Sequence, residues 1–157
     1  MKSKEDKVVK DNKALISVYP FLLPRNRWTG RVVEDYDYSW TELDAMPGGW
    51  RKAFGIDLCR DLKEALVKSN MLDKYRISQI KEKYGSLRWY DFGNTKEGYE
   101  VIDRYEKLSE ETCIACGDKA TRISIGWISP FCDSCGSPLV KYQSIEDLNK
   151  DDEVFLL

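Results

Sequence analysis

The chain has 157 residues, no histidine and near-balanced charge, with 25 Lys and Arg against 27 Asp and Glu. A net charge of −2 lacks the basic excess usual in DNA-binding domains, no apolar run reaches the length of a membrane span, and a chain without histidine holds no Ser-His-Asp set. Its 42% of hydrophobic residues is enough for one compact core.

Residues 1–13, "MKSKEDKVVKDNK", are polar and mixed in charge. They have neither the apolar stretch nor the cleavage site of a signal peptide, and read as a flexible N-terminal tail. An intracellular setting is therefore expected, where thiols stay reduced. "ALISVYPFLLP" is apolar, β-branched or aromatic and closed by prolines, which predicts a buried strand or extended segment. Residues 25–49 have turn signals at Thr29-Gly30 and Pro47-Gly48-Gly49 but no clear period, and read as a long ordered loop.

"GWRKAFGIDLCRDLKEALVKSN" carries the strongest helical pattern. Trp50, Phe54, Leu58, Leu62, Ala65 and Leu66 form one stripe. Cys59, at the edge of the stripe, reads as a small core residue. In "YRISQIKEKYGSLRWYDFG" two short strands flank Tyr84-Gly85-Ser86, with Leu87 and Trp89 on one face and Arg88 and Tyr90 on the other. Ile77, Ile80 and Tyr84 also fit a helix. "TKEGYEVIDRYEKLSEE" predicts a second helix, capped by Thr95, with Val101, Ile102, Tyr105 and Leu108 as its stripe. In the acidic segment 137–157, Ser144 is placed to cap one helical turn, and Val154 to Leu157 are expected to pack on the body.

Four of the five cysteines are spaced as C-x2-C, fifteen residues, C-x2-C: Cys113, Cys116, Cys132 and Cys135. That spacing is the pattern of a four-cysteine zinc site. Gly117 and Gly136 each follow a pair, where a metal knuckle needs unusual backbone angles. Between the pairs, Ile123, Ile125 and Trp127 alternate around Gly126, which predicts a hairpin and so a zinc ribbon. Four thiolates fill a tetrahedral shell and leave no open position, so one structural zinc is expected. The rivals are a redox CxxC pair and a four-cysteine iron–sulfur cluster. The fold class is thus α+β: amphipathic helices on a small hairpin over residues 14–111, with a zinc ribbon over 112–136 packed on that body.

"WTELDAMPGGWRKAFG", "QIKEKYGSLRWYDFG" and "CIACGDKATRISIGWISPFCDSC", in this order, resemble small zinc-ribbon proteins of bacteriophages, prophages and their bacterial hosts. Members show a QIKEK(F/Y)GxLR(F/W)Y block, a helix leading to a serine, and then the CxxC ribbon. The resemblance covers roughly residues 20 to 136. It implies a metal site and a phage-linked setting in the cytoplasm of a bacterial host, and no particular activity.

Two stretches mix cations with aromatics. Lys81, Lys83, Arg88 and Tyr90 form one, around Trp89; Arg25, Arg27 and Trp28 form the other, with Arg31 close by. Such a mixture can grip a phosphate and stack a base, although a strand with one wet and one apolar face produces the same pattern. The acids Glu34, Asp35, Asp37, Glu42 and Asp44 lie between them in sequence and are expected chiefly to pair with cations. Three functions follow. The first is a non-catalytic phage-type accessory protein that binds a host protein or a nucleotide-like anion, with countering a host defence as its purpose. The second is a nucleic-acid-binding ribbon regulator. The third and weakest is an Asp/Glu-dependent metal enzyme. On the first reading the two basic stretches should converge on one cleft.

Overall fold

The computed structural model describes residues 3–149. Its first element corrects two expectations, because residues 4–18 form a helix, α1 (Lys4–Val18), in place of a flexible tail and a buried strand. Ser3 caps it: the Ser3 hydroxyl accepts from the Asp6 N–H while the Asp6 carboxylate accepts from the Ser3 N–H. Leu15 and Ile16 lie against the core, and the Asn12 amide donates to the Tyr38 carbonyl at 2.8 Å. A 3-10 turn, Pro20–Leu22, then buries Phe21 and Leu22.

Residues 23–47 form an irregular loop with a capped 3-10 turn at Glu42–Ala45; the loop expected over 25–49 ends two residues sooner, because Gly48 and Gly49 open the next helix. Helix α2 runs over residues 48–68. It opens with an α turn, Gly48–Trp50, widens into a π stretch, Arg51–Gly55, and is regular over Ile56–Lys68. The predicted stripe of Trp50, Phe54, Leu58, Leu62, Ala65 and Leu66 is buried, and so is Cys59, whose thiol is pushed up to about 12 by burial. It is an inert core residue.

Strands β1 (Arg76–Lys83) and β2 (Ser86–Phe92) form the expected antiparallel hairpin, with Ile80 opposite Trp89 and Lys81 opposite Arg88. The helical alternative for residues 76–83 fails. Leu87 and Trp89 face the core. The Trp89 indole donates to the Tyr75 hydroxyl at 2.7 Å, which donates to the Asp91 carboxylate at 2.6 Å. Helix α3 (Lys96–Ser109), capped by Thr95, lies along the free edge of β2. There the Ser109 hydroxyl accepts from Leu87 N–H at 2.8 Å and the Glu106 carboxylate from Trp89 N–H at 3.2 Å. Val101, Ile102 and Tyr105 are buried, whereas Leu108 is exposed, outside its expected stripe.

A second sheet, in the order β4-β3-β5, comprises β3 (Arg122–Ser124), β4 (Pro130–Phe131) and β5 (Tyr142–Ser144). The ribbon therefore does not stop at residue 136. The acidic segment that follows supplies β5, which pairs with β3, and the expected helical turn, over residues 145–149, follows Ser144. The expected packing of Val154 to Leu157 lies outside the described residues. No helix among the described residues is long and apolar enough to cross a membrane.

Candidate metal centre and binding surfaces

Each CxxC pair forms a tight turn. In the first, Gly117 N–H returns to the Cys113 carbonyl at 3.0 Å, with Gly117 at a φ of +88°. In the second, Cys135 N–H points to the Cys132 carbonyl and Gly136 takes a φ of +96°. β3 and β4 carry the two turns to one point. The sulfurs of Cys113, Cys116, Cys132 and Cys135 all lie within 4.8 Å of one another, with Cys116 and Cys132 at 3.6 Å. Zinc–sulfur bonds of about 2.3 Å in a tetrahedron set sulfurs about 3.8 Å apart. The donor set and the spacing thus fit a metal ion, and none of the cysteines is in a disulfide. Among the described residues, this is the one group of three or more Cys, Asp or Glu ligand atoms close enough to share an ion.

The thiols show why an ion belongs there. Burial raises the Cys113 thiol, but the N–H groups of Cys132, Cys116 and Ala115 outweigh it and bring it down to about 7. Cys135 is pushed up to about 12 by hydrogen bonds with the neighbouring sulfurs of Cys132 and Cys116. Four thiols this close cannot all ionise unaided, and a divalent cation among them removes the conflict.

Two features around the cysteines were not foreseen from the sequence. Arg122 lies against the second turn, its guanidinium donating to the carbonyls of Cys135 at 2.6 Å and Cys132 at 3.3 Å, with the Tyr142 ring 3.8 Å away. A cation held there offsets part of the charge of four thiolates. The other is the joint with the body. Trp50, fully buried, donates its indole N–H to the Thr112 carbonyl at 2.9 Å, and Gly49 N–H donates to the Ile114 carbonyl at 2.9 Å. A Cβ on Gly49 would strike the carbonyl oxygens of Cys113 and Ile114. "GGW" is therefore the seat of the first cysteine turn, a close approach that only glycine permits. The "GG" reads as a turn signal from sequence alone.

The hairpin predicted from Ile123, Ile125 and Trp127 around Gly126 forms as β3 and β4, although the alternation does not mark a buried face. β3 ends at Ser124, and Ile125 and Trp127 are exposed in the loop that follows. The Ser124 hydroxyl closes that loop, donating to Trp127 O and accepting from Ser129 N–H.

The basic stretches are placed as follows. Arg25 donates to the Gly30 carbonyl at 2.9 Å and lines a cleft of about 310 Å³ with Arg76, Asp73 and Tyr75; Arg88 is not part of that cleft. Arg27 is near the half-buried Glu42 and lowers its pKa, though burial dominates and pushes Glu42 up to about 7. Trp28 stands out of its loop, 93% exposed. Lys81 and Arg88 face each other across the hairpin, Lys83 lies over the Tyr84 ring, and Tyr90 is exposed. The Arg25–Arg31 loop meets the hairpin through Gly30, which packs on the Arg76 guanidinium, so the two stretches adjoin along the hairpin without enclosing one cleft between Arg25 and Arg88. In the acidic run, Asp44 pairs with Arg51 at 3.0 Å and Asp37 accepts from Ser39 N–H.

Comparison with models of protein families, with curated proteins and with solved structures finds no match.

Proposed function

We propose that the four cysteines hold one structural zinc ion and that the chain is a non-catalytic binding protein of bacteriophage type, acting in the cytoplasm of a bacterial host. The observation that carries the metal assignment is the closed set of four sulfurs seated on Gly49 and Trp50. With four thiolates the shell is full, so the metal fastens a surface to the body and offers no site for substrate. The partner is anionic, either a nucleotide-like ligand or a host protein, and is held on the open surface where the hairpin adjoins the Arg25–Arg31 loop, because the two basic stretches do not form the single cleft expected. Occupying that partner would blunt a host defence. The phage setting rests on the resemblance of the three sequence stretches.

Protein purified without chelator should contain zinc near one ion per chain by elemental analysis. A lack of metal, or the visible absorption of an iron–sulfur cluster, would overturn the assignment. A nucleotide panel screened by thermal shift tests the binding role. The second reading, a nucleic-acid-binding regulator, is favoured by the outward face of the hairpin.

A further inference from the structure

The hairpin has two unlike faces. Its register sets Ile77, Ile80 and Glu82 with Asp91, Trp89 and Leu87 on the inner face. The outer face carries Arg76, Gln79, Lys81 and Lys83 opposite Phe92, Tyr90, Arg88 and a buried Ser86, with the Arg76 guanidinium over the Phe92 ring. Both acids of the two strands fall on the inner face and are engaged there: Glu82 accepts from Gly85 N–H at 2.8 Å, and Asp91 from the Tyr75 hydroxyl. What is left outside is four cations, the half-exposed rings of Tyr90 and Phe92, and no carboxylate from either strand. Among the described residues none of these cations is in an ion pair within 4 Å. Glu106, at the edge of β2, is close enough to feel Arg88, but its carboxylate is held by Trp89 N–H.

The row continues at both ends. Gly30 against Arg76 sets the loop of Arg27, Trp28 and Arg31 at one end. At the other, Tyr84 is exposed beside Lys83, and Ile128 packs on Gly85, which brings the ribbon loop with its exposed Trp127 alongside.

The geometry points to a single-stranded polynucleotide as the occupant of this outer face, its phosphates on Arg76, Lys81, Lys83 and Arg88 and its bases stacked on Tyr90 and Phe92. The inference rests on the second reading above, a nucleic-acid binder, and narrows its ligand to a single strand. Four cations that no carboxylate among the described residues pairs within 4 Å favour an anion by charge complementarity. The eight residues of β1, at about 3.3 Å each, extend roughly 26 Å, so the face suits a linear polymer better than a single small anion. Cations interleaved with exposed rings match a chain that alternates phosphates with flat bases. A duplex hides the faces of its bases, and an acidic peptide supplies charge but nothing to stack.

The test is fluorescence anisotropy of the zinc-loaded full chain with short labelled single strands of DNA and RNA, the matching duplexes, and labelled polyglutamate. Single strands should bind tighter than duplex, with a log–log salt slope of about −3, from four phosphates at about −0.7 each. Lys81→Gln should flatten that slope by about 0.7. Tyr90→Ala should weaken single-strand binding about tenfold, within the range for loss of one stacked base, at unchanged melting temperature. If that variant melts early, Tyr90→Leu keeps an apolar side chain without a stacking ring and should show the same loss. Equal affinity for duplex, or full affinity in a folded Tyr90 variant, overturns the inference. Binding of polyglutamate alone overturns it too, but leaves the reading of an anionic partner standing. Failure to bind any of these polyanions at low salt sinks both.

Discussion

The body and the ribbon are held together by opposite means. The body buries Trp50, Leu58, Leu62, Leu66 and Leu87 completely, within one cluster that runs from Tyr19 to Tyr105. The ribbon buries little more than Cys113, Cys132, Ala120, Pro130 and a few hydroxyl side chains, and leaves Ile125, Trp127, Ile128 and Leu139 outside. Its three strands are two or three residues long. A segment that exposes its large apolar residues has little core to fold around, and a metal held by the four clustered cysteines would stand in for one. In the first region hydrophobicity stabilises; in the second it is free to serve as surface.

The largest test of this contrast is to remove the metal. Structural zinc contributes about 10–16 kcal/mol in isolated finger peptides. Chelation, or Cys113→Ser, should therefore unfold the ribbon while the body stays folded. Limited proteolysis would show new cuts within residues 112–144 and survival of α2 and α3. Cys59→Ser should leave the metal content unchanged. Cleavage spread evenly along the chain would mean that the two regions are not separable.

Next comes a body-only change. Trp89→Ala truncates a buried ring and leaves Tyr75 without its indole donor, at a cost of about 3–5 kcal/mol by denaturant melts. Metal content should be unaltered if the contrast is sound, and a loss of zinc would show the regions to be energetically one.

Gly49→Ala probes the joint itself. Its Cβ meets backbone, which cannot swing aside, so about 1–3 kcal/mol of strain is expected. The variant should also give up its metal faster to a competing chelator. A variant with native stability and metal retention would show that the ribbon merely touches the body.

The smallest effect is electrostatic. Burial holds Glu42 at about 7, above the 4.5 of an ordinary glutamate. Its contribution to stability is fully present below 4.5 and is lost as the pH rises through 7, because the native state binds the proton more tightly than the unfolded chain. Glu42→Gln should therefore be the more stable protein at pH 8, by on the order of 1 kcal/mol, since the carboxyl is partly exposed and screened. The advantage should shrink toward pH 5 in paired thermal melts.

These contrasts also mark what was legible in the sequence. The α2 stripe, the alternation in β2, the Thr95 cap and the cysteine spacing are all patterns created by burial or by ligand geometry, and each could be read directly. Helix α1 was missed because it buries no residue fully and its β-branched end imitates a strand; the pair Ser3 and Asp6 was the available signal. The hairpin read from Ile123, Ile125 and Trp127 around Gly126 does form, as β3 and β4, but its loop turns Ile125 and Trp127 outward, which the alternation alone did not reveal. Arg122 and Gly49 act through backbone carbonyls distant in sequence, a relation that no local pattern encodes.

The edge of β2 has a consequence for the fidelity of folding. Ser109 and Glu106 sit one helical turn apart and accept from N–H groups two strand residues apart. In a strand, successive N–H groups point to opposite edges, so a slip of one residue would turn carbonyl oxygens toward the Glu106 carboxylate and set acceptor against acceptor. α3 thus acts as a gauge that accepts the hairpin in one alignment and repels its neighbours. It also occupies the edge on which a second hairpin would add itself, so the helix that checks the alignment closes a route to aggregation.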